Sequence, residues 1–482
     1  MLFVLSKLPA AEMDSRFPPV GYKGGGGHKL RTPTAKTILL HLLMRDFRIH
    51  QIILNEIGAF KHLNLTLKSK HNPDKADVHI LTGENGTGKS TILEAISAVG
   101  SPNKLSSKAH TNTVEKIYFD IRFSSFIQDE KISNEEIFSL ETSMSEFRGG
   151  KWLRNQNPKD TIFQYFQKWT NYQYSKFDFA IFAYSGYRKL DRNDISSIQE
   201  ITENPLQNSL DLTNSINPQI ILQWIANTKT KEALTFTSGK KELSNRYKNS
   251  IAQIENIIND ITGWKIKFNL ADSPLKVQVT IDGIDLDFSN LPDGLKSIIS
   301  WVTDLLMRLE RLPWNNDESI FDRNFILLLD EIEVHLHPTW QRKVLPIIQK
   351  LFKNAQLIVS THSPFVANSV DDAWIYKLKK VGQYSVLDGE PILSEDAKSY
   401  RTVLEEVFGI AQQFGVEIEN DLQEFYSLKH DIIKGIKNID DKIFQDLCSE
   451  LSIQSVELEN IIGMELKQIK NVTKKVEKDE KV

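Results

Sequence analysis

The stretch Val78–Ile96, VHILTGENGTGKSTILEAI, constrains the fold of this chain more than any other. An apolar run from Val78 to Leu81 reads as a buried strand, and a helical pattern begins near Lys89. Between them lies the loop Gly83-Glu84-Asn85-Gly86-Thr87-Gly88-Lys89-Ser90, which has the G-x-x-x-x-G-K-[ST] spacing of a phosphate loop in its required setting. Glycines let main-chain N–H groups turn inward as an anion nest, and the helix N-terminus adds a partial positive charge. Lys89 supplies a mobile cation for β- and γ-phosphates, Ser90 a hydroxyl for Mg²⁺, and Thr91 a hydroxyl near the α-phosphate. ATP and Mg²⁺ are the expected ligands.

Composition narrows the setting. A net charge of −4 gives no global sign of nucleic-acid binding. The single cysteine, Cys448, rules out an internal disulfide framework and a CxxC zinc site, and is expected as a small core residue of a helix. No apolar run reaches about 18 residues, so no membrane span is expected. The start MLFVLSKLPAA lacks the layout of a secretion signal, which makes a cytoplasmic protein the expectation.

Residues 1–43 break from the rest. RFPPVGYKGGGGHKLRTPTAK is rich in glycine, proline and basic residues without a period, and reads as a flexible extension before a second start at Met44. From Phe47 the pattern turns to strands, FRIHQIILN and FKHLNLTLK, split at Glu56-Ile57-Gly58. FDFAIFAYSGYRKL reads as a further buried strand ending near Gly186. Over 190–263 the composition turns polar and helical, and an inserted helical arm is expected. Strands resume at WKIKFNL, LKVQVTIDG and IDLDF, and a helix opens at Pro292-Asp293-Gly294. NFILLL (Asn324–Leu329) is a continuous apolar run suited to a central parallel strand. A helix from Pro338, the strand AQLIVS and the turn Thr361-His362-Ser363-Pro364 follow. Ala373–Lys379 and Tyr384–Leu387 read as edge strands, and everything from Ser399 onward reads as helices. The division is a head over 44–390 and a helical subdomain over 391–482.

Strands alternating with helices around a phosphate loop give an α/β nucleotide-binding fold. Asp330, closing NFILLL, is the expected second Mg²⁺ ligand beside Ser90. Glu331 is placed to orient or deprotonate an attacking water. An acidic pair at a strand end also serves as a helix cap, and its order after the phosphate loop favours the chemical role. His362, just past the next apolar strand, is a candidate donor to the γ-phosphate, because ligands sit at strand ends in such sheets.

GENGTGKST, LLLDEIEVHLHP and IVSTHSP together resemble the ABC-type ATPases of the RecF/SMC class. Within it they are similar to compact AAA-family ATPases of bacterial anti-phage systems, such as Septu, retron-associated ATPases and overcoming-lysogenisation-defect proteins. The opening FRIHQIILNEIGAFKHLNLTL extends the likeness over roughly Met44 to Leu378. It implies an α/β head with an antiparallel N-terminal lobe, a helical insertion, and head-to-tail dimerisation of two copies on ATP. By the same resemblance Glu333 to Pro338 faces the second protomer, His362 is the switch histidine, and Asp293 and Gly294 belong to the signature that reaches the opposite subunit's nucleotide. That signature, typically L-S-x-G, falls on Leu291-Pro292-Asp293-Gly294, and proline in place of serine implies slow turnover. No convincing Q-loop glutamine is evident; the turn Tyr184-Ser185-Gly186-Tyr187-Arg188 sits where the lobes would join.

No Toprim nuclease is expected after the head, since the residues after Leu378 read mostly as helices. A separate effector such as a nuclease is therefore an expected partner. The C-terminal helices are its expected docking surface, because a small helical subdomain rarely buries faces such as Leu404, Val407 and Phe408; Ile443, Phe444 and Leu447; Leu458, Ile461 and Ile462 alone. The alternative is a RecF-like repair or maintenance ATPase that clamps DNA itself, with nucleic acid as the direct partner. The HLHP loop and the insertion argue against a transporter subunit.

Overall fold

The computed structural model describes residues 46–70, 72–126, 137–154, 161–186, 195, 197–213, 216–394, 399–410 and 412–479. The expected extension over 1–43, and Tyr187 and Arg188, lie outside them.

The continuous apolar runs are the central strands of one seven-stranded sheet. β3 (Asp77–Gly83), β7 (Phe179–Tyr184), β11 (Asn324–Leu329) and β12 (Ala355–Ser360) run parallel and are buried along their length except at Gly83. Both faces are covered, so these segments show no polar alternation. β13 (Ala373–Val381) pairs parallel with β3, and β14 (Tyr384–Leu387) and β15 (Ile392–Leu393) pair antiparallel with it on the far side. The order is β14-β13-β3-β12-β11-β7, with β15 beside β13. β13 is therefore not the expected edge strand. Its first half is mostly buried, and only its exposed end from Lys379 has the look of an edge.

β1 (Asp46–Ile57), β2 (Phe60–Thr66), β4 (Ile117–Phe126), β5 (Ile137–Arg148) and β6 (Lys151–Arg154) form an antiparallel sheet in the order β2-β1-β4-β5-β6. Gln356 of β12 joins it to the central sheet. Its side chain accepts from Ile49 N at 2.8 Å and donates to Ile49 O at 2.9 Å. Phe47 stacks on Phe179 with ring centroids 4.2 Å apart. Removing such a buried side-chain partner leaves main-chain groups unmet, at a cost of about 1–3 kcal/mol.

α1 (Lys89–Ser97) follows the phosphate loop, and α2 (Thr161–Thr170) sets Tyr165 against Phe179. α3 (Pro218–Thr237) and α4 (Lys241–Thr262) form the insertion. Their inner ends, including Ile221, Ile225, Ile254, Ile258 and Ile261, lie in the main core. The expected arm is thus built into the head, with only its outer end, around Leu234 and Phe236, exposed. β8 (Ile266–Asp272), β9 (Leu275–Ile281) and β10 (Ile284–Leu286) make a small antiparallel sheet that leads into α5 (Asp293–Arg311). α5 is anchored where Tyr184 Oη donates to Asp304 Oδ2 at 2.8 Å. α6 (Pro338–Leu351) and α7 (Pro364–Ala367) flank β12 in the chain.

α8 (Tyr400–Glu406) opens the C-terminal part, with Val403 and Val407 in the main core. The change from one core to the next therefore falls beyond Val407, not at 391. α9 (Val416–Ile433), α10 (Lys442–Gln454) and α11 (Val456–Asp479) bury Phe425, Phe444, Leu447, Cys448, Leu458 and Ile462 in a second core. Of the faces expected to lack cover, Val407 lies in the main core and Phe408 packs against it, whereas Phe444, Leu447, Leu458 and Ile462 cover one another because the three helices bring their apolar stripes together, and Ile443 stays exposed. Cys448 is a core residue, its thiol pushed up to about 11 by burial.

Candidate functional site

The carboxyl ends of β3, β7, β11 and β12 bring together the phosphate loop, the turn at Gly186, the acidic pair and the Thr361-His362 turn, the edge where ligands sit in a parallel sheet. The loop is held from behind. A Cβ on Gly83 would lie 2.3 Å from Leu378 O, and one on Gly88, whose φ is +94°, would lie 2.6 Å from the Phe60 ring. Lys89 Nζ donates to Gly83 O at 2.9 Å and Glu84 O at 3.0 Å, and Thr87 Oγ1 donates to Glu84 O at 2.8 Å. Burial pulls the Lys89 ammonium below its ordinary pKa, against the nearby charges of Asp330, Glu331 and Glu333. Glu84, Asn85 and Gly86 are exposed at the loop's crest. Thr91 lies behind it, where Lys108 Nζ donates to its hydroxyl at 3.3 Å.

Ser90 Oγ donates to Asp330 Oδ1 at 3.1 Å. Among the described residues there is no cluster of three or more histidine, cysteine and carboxylate ligands. A hydroxyl beside one carboxylate is instead the hard-oxygen set that suits Mg²⁺ sharing its shell with phosphates. Ser360 Oγ donates to the same Asp330 oxygen and accepts from Glu331 N at 2.9 Å, so one β12 hydroxyl orients both members of the acidic pair. Glu331 has φ +45°, a conformation that non-glycine residues hold at a cost and that clusters at active sites.

Two residues do work that sequence reasoning did not assign. A Cβ on Gly186 would lie 2.9 Å from Glu331 Cβ and 3.1 Å from its Oε2, so the turn after β7 makes room for the acid. Glu333 accepts from Thr361 Oγ1 at 2.8 Å and from His362 N at 2.6 Å, tying the loop after β11 to the turn after β12. His362 is half-buried, and burial, then the charge of Lys89, hold its imidazole below its ordinary value of 6.5. That shift favours the neutral imidazole at pH 7.

Asp293 and Gly294 lie elsewhere. They start α5 behind Pro292, whose position as N-cap carries no side-chain cap. A Cβ on Gly294 would lie 2.4 Å from His335 O and 3.3 Å from the Trp340 ring, so the helix start packs on the loop Glu333–Pro338 of its own chain. The Asp293 carboxylate is exposed and 3.4 Å from Lys296 Nζ. Among the described residues neither Asp293 nor Gly294 makes a hydrogen bond to the phosphate loop.

Residues 78–368 match the family described as "AAA domain, putative AbiEii toxin, Type IV TA system", and residues 47–102 match a second AAA-domain family. The chain is 25% identical over 429 residues to the retron Ec83 probable ATPase of Escherichia coli, covering 76% of this chain and 77% of that protein. It is 26% identical over 383 residues to the retron Vc95 probable ATPase of Vibrio cholerae, covering 67% and 72%. It is 24% identical over 404 residues to the Septu protein PtuA of Bacillus mycoides, covering 84% of this chain and 47% of that one. Among solved structures, the SMC head domain from Thermotoga maritima aligns with a TM-score of 0.40 and 15% identity, over 72% of this chain and all of that one. The family match spans more than half of the chain and takes in the phosphate loop, the acidic pair and His362 together, and this protein belongs to that AAA-domain family.

Proposed function

We propose that this chain binds ATP with Mg²⁺, hydrolyses it slowly, pairs head to tail with a second copy on ATP, and thereby controls a separate effector, such as a nuclease, in anti-phage defence. The observation that carries the ATPase reading is the convergence of Lys89, the Ser90–Asp330 pair, Glu331 and His362 on one strand-end edge. Lys89 exchanges its main-chain carbonyls for phosphate oxygens. Ser90 and Asp330 would hold Mg²⁺, which when bound would supply positive charge against the phosphates. Glu331 takes the proton of the water whose oxygen bonds to the γ-phosphorus as the bridging P–O bond breaks. Neutral His362 donates to the γ-phosphate.

Slow turnover follows from Pro292 in the place of the signature serine. Pairing is supported by a face on which Pro292, Asp293, His335 and His337 are all exposed. Control of an effector is supported by the retron and Septu relatives and by the separate core of α9–α11, which leaves Val416, Ile436, Ile443, Ile453, Val456 and Met464 exposed. No helix among the described residues is long and apolar enough to cross a membrane.

The test is ATP affinity and turnover. Lys89→Ala loses binding, whereas Glu331→Gln keeps binding and stops hydrolysis. Equal affinity of wild type and Lys89→Ala overturns the site. A chain ending at Gln412 keeps turnover and loses the neighbouring gene's product as partner. Nucleic-acid cleavage by the full chain alone that disappears on this shortening would place a nuclease in the helices instead.

A further inference from the structure

β13 ends in the lysines Lys377, Lys379 and Lys380, and they are not equivalent. Lys377 and Lys379 both pair with Asp388, at 3.5 and 2.7 Å, and Lys377 also donates to Glu406 O at 2.7 Å. Lys380 has no ion pair among the described residues. Its ammonium stands over the crest of the phosphate loop instead: a Cβ on Gly86 would lie 3.1 Å from Lys380 Nζ and 3.6 Å from its Cε.

The backbone that carries Lys380 is fixed to the loop on two sides. Leu378 is in register with Gly83, and its carbonyl lies against Gly83 so closely that only glycine fits. Ser385, the partner of Lys380 across the β13–β14 hairpin, donates its N–H to Ala59 O at 2.7 Å. Ala59 and Phe60 in turn pack on Gly88. A four-carbon stem rooted there places its ammonium at the rim of the loop. Lys89, by contrast, comes from within the loop, seated on the Gly83 and Glu84 carbonyls.

We infer that Lys380 is a second cationic contact to the nucleotide's phosphates. It reaches them over Gly86 from the β13 side, across β3 from Asp330, Glu331 and His362. On that side it serves affinity, because Glu331, assigned to water activation, and Asp330, assigned to the metal, sit beyond the opposite edge of β3, while Ser90 follows β3 itself in α1. An uncompensated cation beside a phosphate loop adds Coulomb attraction that salt screens. The inference rests on the nucleotide reading proposed above.

The experiment measures ATP affinity of the full chain, at concentrations below pairing, for wild type, Lys89→Ala, Lys380→Ala and Lys380→Arg. Lys380→Ala is expected to weaken affinity about tenfold at low salt, a loss that shrinks as salt rises. The loss is expected in KM more than in kcat, with the thermal midpoint unchanged because the side chain is exposed. Lys380→Arg retains most of the affinity. If wild type binds ATP and Lys380→Ala binds it equally tightly, or differs only once the chains pair, Lys380 is not a phosphate contact. If wild type binds no nucleotide, the site reading and this inference fall together.

Discussion

Gly186→Ala isolates the positioning of Glu331 from nucleotide binding. Gly186 does not have a left-handed φ, so alanine is permitted by the backbone, and the consequence comes from space alone. The added methyl would stand 2.9 Å from Glu331 Cβ, 3.1 Å from Glu331 Oε2 and 3.3 Å from Val334 Cγ2. Carbon–carbon contacts prefer about 3.5–4.0 Å, so Glu331 has to retreat by about half an ångström or more. A misplacement of about 1 Å in a catalytic group costs about 10²-fold in rate, and overpacking costs about 1–3 kcal/mol of stability. Turnover at saturating ATP is expected to fall by about 10²-fold, while ATP affinity stays within about twofold because Lys89 and Ser90 are not displaced. Phosphate release and binding of a fluorescent ATP analogue read the two effects, and a thermal melt shows that the variant is folded. A folded Gly186→Ala protein that turns over within threefold of wild type would refute Glu331 as the group that acts on water.

Pro292→Ser supplies the hydroxyl that the proposed signature lacks and a side-chain cap that α5 lacks; turnover is expected to rise severalfold, and the cap to add about 1 kcal/mol of stability in a melt. Unchanged turnover would show that the main-chain N–H groups at the start of α5 suffice. His362 gives a pH signature. Its imidazole is held below 6.5 when folded, so the unfolded chain takes up the proton first as pH falls, and stability is lost on the acid side of 6.5 and complete above it. His362→Gln is therefore expected to lower the thermal midpoint less than wild type does between pH 7 and pH 5.5, and parallel curves would refute the assignment.

What the sequence made legible is what a residue's own neighbours in the chain decide. NFILLL and AQLIVS are covered on both faces and show it as unbroken apolar runs. The phosphate loop needs its glycines and lysine at fixed spacing, and Asp330 and Glu331 stand at the end of a strand that can be recognised. Gly186 and Glu333 carry no such mark, because their work depends on groups far along the chain: Glu331 for the first, Thr361 and His362 for the second. The isoleucines of α4 announce a helix with one apolar face but not the surface that receives it, so a wall of the core reads as an arm. The interior place of β13 was hidden for the same reason. Its lysines look like an exposed edge, whereas its position is decided by pairing with β3 about three hundred residues earlier.

The start of α5 packs on the loop that follows Asp330 and Glu331, and this gives Gly294 a role within its own chain. A methyl on Gly294 would meet His335 O at 2.4 Å, a main-chain atom that cannot step aside, so α5 or the loop Glu333–Pro338 must shift. That loop carries Glu333, which holds Thr361 and the His362 amide. Gly294→Ala is therefore expected to damage the site of the chain that bears it, as well as any face offered to a second copy. Mixing separates the two routes. A Lys89→Ala chain has an intact α5 start, a Gly294→Ala chain has an intact phosphate loop, and a head-to-tail pair of them contains one composite site with both. If Gly294 acts only across the interface, that site hydrolyses ATP. Transmission through His335 and Glu333 predicts that it stays down by about 10²-fold, the cost of displaced catalytic groups. With pairing of the two tagged chains confirmed by co-purification, recovery of turnover in the mixture would refute the route through the chain's own loop.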